Sequence, residues 1–204
     1  MSRRLKQYVL AVDIGTTSLK ALIVDRSGAV RAAQSVDYPM NVPAPDRAEQ
    51  NPDEILAAFV RGVRQAVDEA GIRPEELLCG SLSAAMHSLI ALDGDGRPLT
   101  PCIIWADNRS REQAERLKAD GRGASLYATN GAPVHPMLPL TKLMWLRERE
   151  PAIFRSARMF LGIKEYVLYR LFGRYVMDHS LAGATGMFNL RARTWDAAAL
   201  EAAG

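Results

Sequence analysis

Three short segments rich in β-branched residues open the chain, Gln7 to Ile14, Leu19 to Asp25 and Val30 to Tyr38, separated only by Gly15-Thr16-Thr17 and Arg26-Ser27-Gly28. Connections that short leave no room for a crossover, so the three read as antiparallel neighbours in a meander. Residues 39–52 carry four of the eleven prolines and read as an extended loop. A helix then opens at Asn51-Pro52-Asp53-Glu54: Asn51 can cap, Pro52 suits the first helical position, and Glu54 stands three residues after the cap. Ile55, Leu56, Phe59, Val60, Val63, Val67 and Ala70 recur at three- and four-residue spacing. They form one apolar stripe that needs a sheet to cover, and Gly71 stops it.

Further on, Leu77 to Ala84, Ser88 to Leu92 and Pro101 to Trp105 read as strands, with Asp93-Gly94-Asp95-Gly96 as a turn. Helical spacing takes over at Arg111 to Lys118, Leu140 to Glu148 and Ile163 to Phe172, the last stopped by Gly173. Strands first, then alternation, then mostly helices predicts an α/β domain, with a mixed sheet that begins as an antiparallel meander and is flanked by helices. No repeat, low-complexity tract or linker divides the 204 residues, so one large domain is expected.

Hydrophobic residues make up 48% and charged residues 24%, which excludes disorder and fibrous repeats. Lys and Arg total 26 against 23 Asp and Glu, and the +3 surplus is too small and dispersed for a nucleic-acid partner. The basic start MSRRLKQ resembles an export signal, but the apolar run from Tyr8 to Val12 ends at Asp13, and a strand is the better reading. No stretch approaches the roughly 20 apolar residues of a membrane span. A cytoplasmic, membrane-free protein is expected, with Cys79 and Cys102 as buried free thiols in a reducing compartment.

Two constellations can carry chemistry. In Asp13-Ile14-Gly15-Thr16-Thr17-Ser18-x-Lys20 a strand ends in a carboxylate, followed by a glycine that allows close backbone approach and by three hydroxyls. Loop amides and hydroxyls can donate to phosphate oxygens while Asp13 holds hydrated Mg²⁺. An ordinary hairpin turn would carry the same residues. It is not a P-loop, since the G-x-x-x-x-G-K spacing is absent and strand follows Gly15. The second constellation joins Ser83 to Ser88 with Trp105 to Arg109, each where an apolar run gives way to polar residues. A Trp face packs on the carbons of a polyol while Asp107 and Asn108 bond its hydroxyls, although Asn108 is better read as a helix cap.

Of the three histidines, His87 is the strongest functional candidate, His135 is evenly balanced, and His179 reads as structural. None belongs to a cluster with metal-ligand spacing. Lys142 reads as a solvated charge on an amphipathic helix, and Trp145 as core.

With these segments in view, the chain resembles the FGGY family of carbohydrate kinases. The motifs run in order: VDIGTTSLKA, AEQNPDEI, SAAMHS, IIWADNRS, GAPVHPMLPLTKLMWL, GIKEYVLYRLFG and YVMDHSLAGATGMFNL with Trp195-Asp196. The resemblance implies an actin-like ATPase fold of the ribonuclease H type, ATP and Mg²⁺ as cofactors, and transfer of phosphate to a primary hydroxyl. It implies that Asp13, with Gly15, Thr16 and Thr17, serves the metal and the transferred phosphate, and Lys20 of the same constellation is counted with the phosphate site. It assigns Met86, His87, Trp105 and Asp107 to the sugar, and Met137 falls where glycerol kinases of the family place an aromatic substrate contact, so that this contact would be altered. SAAMHS, WADNRS and PVHPM are most like family members that act on gluconate, with xylulose or another polyol, or a non-catalytic sugar-binding domain, as the alternatives. An acid substrate needs a donor or cation, which Arg109 or His135 would supply. The family's general base is an aspartate in a Gly-rich motif that residues 190–204 do not contain. The chain is therefore expected to be an N-terminal lobe truncated near its end, lacking the ATP-holding second lobe and inactive alone; a homodimer is among the admitted partners.

Overall fold

Alternation of apolar and polar side chains makes strands of Tyr8–Ile14 (β1), Ser18–Asp25 (β2) and Val30–Asp37 (β3). The computed structural model describes residues 7–204; the basic start of the chain at residues 1–6 lies outside the described residues. β1 pairs antiparallel with β2, and β2 with β3, as the short turns require. Glu49–Gln50 forms a two-residue strand (β4) inside the expected loop, before helix α1 (Pro52–Glu69). Gly71, at φ +62, ends the helical segment, and Leu77–Ala84 (β5) returns parallel to β1, giving the sheet order β3-β2-β1-β5.

The remaining elements are β6 (Ile90–Leu92), β7 (Cys102–Ile103), α2 (Arg111–Ala119), α3 (Arg122–Asn130) and α4 (Pro139–Arg149). After them come α5 (Pro151–Ser156), β8 (Met159–Leu161), α6 (Ile163–Phe172), α7 (His179–Ala184), β9 (Phe188–Asn189), β10 (Thr194–Trp195) and α8 (Ala197–Ala203). The described residues fall into two compact units, the first comprising residues up to 40 with 53–85, the second 41–52 with 86–204. The boundaries escape a composition reading because none of them lies in a Gly- or Ser-rich linker.

In the first unit the buried face of the meander is Val12, Ile14, Leu19, Ala21, Ile23, Ala32 and Val36. Ile55, Ala58, Phe59 and Ala66 of α1 are buried with it, each large side chain contributing about 1.5–3 kcal/mol. Gly62 lets the helix lie close: a Cβ there would stand 2.7 Å from Leu19 Cδ2. β5 is an edge strand, and Cys79 on it is exposed, contrary to the expected buried thiol. An apolar run predicts a fully covered strand, whereas this one has a single strand partner among the described residues.

The second unit is built round α4, whose residues Pro139 through Leu146 are all buried. One core cluster joins Leu117 of α2, Leu126 of α3, Leu140, Leu143 and Met144 of α4, and Ala199, Ala202 and Ala203 of α8. Short antiparallel pairs, β4 with β7, β6 with β8 and β9 with β10, frame it. The two strands expected over Ser88–Leu92 and Pro101–Trp105 shrink to three and two residues, with Leu89 joined to Ile103 only by an isolated bridge. Lys142, read as a solvated charge, is 0% exposed, because α4 is wrapped on all sides instead of lying on a surface. Trp145 is buried as expected, and Cys102 is buried, its thiol pushed up to about 12 by desolvation.

Candidate functional site

In the first unit the chemistry-bearing loop is fixed by backbone. Strand alternation puts Val12 and Ile14 in the core and leaves Asp13 exposed on the other face. Asp13 is directly opposite Lys20 of β2 and Ser83 of β5, so these three polar side chains share a face of the sheet. Gly15 N donates to Ser18 O at 3.0 Å, Tyr38 Oη donates to Gly15 O at 2.6 Å, and Tyr38 N donates to Thr17 O at 3.2 Å. From the β5 side, Ala85 N donates to Ile14 O at 2.8 Å. A Cβ at Gly15 would meet Ser18 O at 2.9 Å, so only glycine closes this turn without displacement.

The clamped loop presents an exposed carboxylate, the exposed hydroxyl of Thr17 and the cation of Lys20. No group of three or more His, Cys, Asp or Glu among the described residues could hold a metal by protein ligands alone. One carboxylate beside hydroxyls is instead the donor set of an ion that keeps its waters and shares phosphate oxygens, as Mg²⁺ does.

In the second unit, side chains make the site. A groove of about 300 Å³ is lined by His87, Met137, His179 and Ser180, with Gly131, Gly183 and Ala184 offering backbone. His87 ends the approach from β5 with φ +65, a region that non-glycine residues enter only when their surroundings impose it. Its Nδ1 lies 2.8 Å from Ala184 O, and since a carbonyl only accepts, Nδ1 carries the proton. Burial holds the ring below its ordinary pKa, opposed by the Ala184 bond and reinforced by the charges of Lys142 and His135. The neutral ring therefore keeps Nε2 as an acceptor, suited to a sugar hydroxyl and not to a carboxylate. His135, exposed, accepts from Met137 N through Nδ1 at 3.1 Å, which leaves its Nε2 as the donor.

Asp107 and Arg109 differ from the expectation. Asp107 is 0% exposed; its carboxylate accepts from Ala48 N at 2.7 Å, from Arg109 N at 3.1 Å and from both Nε and Nη2 of Arg109 at 2.8 Å. Arg109, also buried, pairs in addition with Glu49 and lies over the Trp145 ring at 5.0 Å. Burial opposes its charge, but the bonds to Asp107 and Glu49 outweigh this and raise its pKa. The pair ties the 103–109 segment to β4, and two carboxylates already occupy the guanidinium assigned to a substrate acid. Trp105 and Met86 are each 47% exposed, outside the groove lining, as is His135.

His179 and Lys142 also stand at the groove or against the His87 turn. His179, read as structural, lines the groove while its ring lies 5.4 Å from that of Phe188. Asp178 caps α7 beside it by accepting from Ser180 N and Leu181 N. Lys142 donates from Nζ to His87 O at 2.5 Å and to Ile104 O at 2.8 Å. The signal for both lay in motif position and not in amphipathic pattern.

The N-terminal domain of the FGGY family of carbohydrate kinases matches residues 8–204. A gluconokinase of Bacillus subtilis (strain 168) is 44% identical over 97% of the chain and 38% of its own length. The crystal structure of a gluconate kinase from Lactobacillus acidophilus superposes with a TM-score of 0.90 at 35% identity, covering 96% of this chain and 39% of that one. A ligand-bound xylulose kinase from the same organism gives 0.91 at 35%, with the same coverage. The chain thus spans about two-fifths of the length of these relatives. No helix among the described residues is long and apolar enough to cross a membrane. A mixed sheet that opens as an antiparallel meander, continued by a parallel strand and flanked by helices, is the actin-like ATPase fold of these kinases, and the chain belongs to the FGGY family of carbohydrate kinases.

Proposed function

We propose that this chain is the N-terminal lobe of an ATP-dependent kinase that phosphorylates a primary hydroxyl of gluconate. The observation that carries the substrate is the identity to gluconokinase across nearly the whole chain. The chemistry of the site is compatible with it: the neutral His87 ring accepts from a hydroxyl, His135 offers a donor to the acid group in place of the occupied Arg109, and Trp105 and Met86 give exposed apolar faces. Asp13 with Gly15, Thr16, Thr17 and Lys20 would serve the phosphate end, where Mg²⁺ bound to Asp13 would neutralise charge on the transferred group. The general base and the ATP-holding lobe are assigned to sequence outside these residues. The second reading, xylulose, is favoured by the equal structural likeness to a xylulose kinase.

The test uses the product of the complete coding sequence, with ADP release measured against gluconate, xylulose and glycerol. Gluconate is expected to give the highest kcat/KM. Asp13→Asn is expected to lower kcat by about a thousandfold, the scale of losing one preorganised electrostatic contact, with the fold unchanged by circular dichroism. Faster turnover of xylulose would replace the substrate, and a loss under about tenfold in Asp13→Asn would remove the loop from the reaction.

A further inference from the structure

An ammonium group is costly inside a packed helix layer unless acceptors surround it. Lys142 is 0% exposed, on the stretch of α4 that is buried on every side. It has three N–H donors, and three backbone carbonyls meet them: His87 O at 2.5 Å, Ile104 O at 2.8 Å and Ile103 O at 3.3 Å. These carbonyls belong to two segments far apart in sequence, the turn at His87 and the strand end that leads into Trp105.

Neither segment is fixed well by regular structure. β7 is two residues long, and its ladder ends at Ile103. Beyond it the Ile104 carbonyl also accepts from Asp107 N at 3.1 Å, and the Ile103 carbonyl from Leu89 N at 2.9 Å. His87 holds a left-handed backbone without being glycine. A backbone of that kind persists only where neighbours over-determine it, and its carbonyl is what Lys142 grips most closely.

We propose that Lys142 is a positioning residue for the acceptor sugar, its ammonium clamping the His87 turn to the strand end that carries Trp105. This rests on the reading that His87 and Trp105 touch the sugar. Removing the clamp separates the placement of those two side chains without touching the phosphate loop, so the acceptor is affected and ATP is not.

The charge on Lys142 gives the clamp a pH signature. Desolvation lowers its pKa to about 7, opposed by the nearby Asp107 carboxylate and reinforced by Arg109. The group therefore carries its full set of donors at lower pH and loses one as pH rises past that value. Of the neighbours, Cys102 is held to about 12 and Arg109 is raised, both away from this range, while burial lowers His87 so that its own titration falls on the acid side of that of Lys142.

The test compares wild type with Lys142→Met in the full-length protein. Two readouts are followed from about pH 6 to pH 9, a range that brackets this titration. One is KM for the acceptor against KM for ATP. The other is amide hydrogen exchange in residues 86–89 and 103–107, corrected for intrinsic rates. In wild type, acceptor KM is expected to rise about tenfold across the range, with exchange in both segments accelerating together, while KM for ATP stays constant. Lys142→Met is expected to show the high acceptor KM throughout, with no pH limb. A pH-independent exchange pattern in wild type overturns the proposal, as does a variant whose acceptor and ATP constants move alike. Should Lys142→Met fail to fold, the wild-type exchange series decides alone. That series needs no sugar, so a wrong substrate assignment shows only in the acceptor panel and leaves the clamp separately testable.

Discussion

Around Asp13 the backbone makes the structure and the side chains are left at the surface. Main-chain bonds from Gly15 and Tyr38, with the Tyr38 hydroxyl donating to Gly15 O, close the loop, and the Asp13 carboxylate has no part in those bonds. Around His87 and Trp105 the arrangement is inverted. Buried side chains, Lys142, Asp107 and Arg109, hold backbone segments in place, and His87 and the half-exposed Trp105 lie at the ends of those segments. A loop fixed by its own backbone tolerates loss of its functional side chain without unfolding. A site fixed by buried charges does not separate stability from function so cleanly.

The largest effect expected from this contrast is in stability. Asp107→Ala strips a buried guanidinium of its main partner and leaves Ala48 N without its acceptor, and should cost about 3–5 kcal/mol. Asp13→Ala removes an exposed group and should stay within about 0.5 kcal/mol. Urea unfolding of the two variants side by side measures the difference. Equal losses would mean that the carboxylate of Asp13 is structural after all.

A smaller and more local effect is expected at the groove. His179→Ala should weaken acceptor binding by about tenfold, the scale of one lost ligand contact, while the exposed ring's tilted contact with Phe188 contributes only about 0.5–1 kcal/mol to stability. Acceptor KM and unfolding midpoint, taken on the same preparation, distinguish a binding residue from the packing residue that the sequence suggested. A lowered midpoint with unchanged KM would return His179 to its structural reading.

What could be read from the sequence followed the same division. β1, β2, β3, α1 and β5 were legible because each element satisfies its neighbours through simple periodicity, and Gly71 and Gly173 stop helices at positive φ where they were expected to. The loop from Asp13 to Lys20 was legible because its residues are contiguous. In the second unit, α3 carries a glycine and ends in Asn130 and Gly131, α7 is six residues with two of them Gly and Ser, and β8, β9 and β10 are two or three residues long. None of these has enough length for a period to show. Lys142 was misread for a definite reason: helical spacing around it looked one-sided, whereas α4 is buried all round and its charge is met by carbonyls that no pattern in the sequence marks.

The mildest consequence concerns the two thiols, which composition treated alike. The thiolate is the reactive species, so accessibility and pKa together set the rate of alkylation. Cys79 sits exposed on the edge strand of the first unit, and Cys102 is 0% exposed in the second with its thiol held at about 12. In the native 204-residue chain, iodoacetamide should therefore modify Cys79 and leave Cys102 untouched until denaturant is added, as mass spectrometry of peptides would show. Modification of Cys79 should leave the unfolding midpoint where it was, since that residue is exposed. Labelling of both at one rate would mean that the β4 and β7 pair opens readily in the native state. That would mean the short β7 ladder gives the strand end before Trp105 little support of its own.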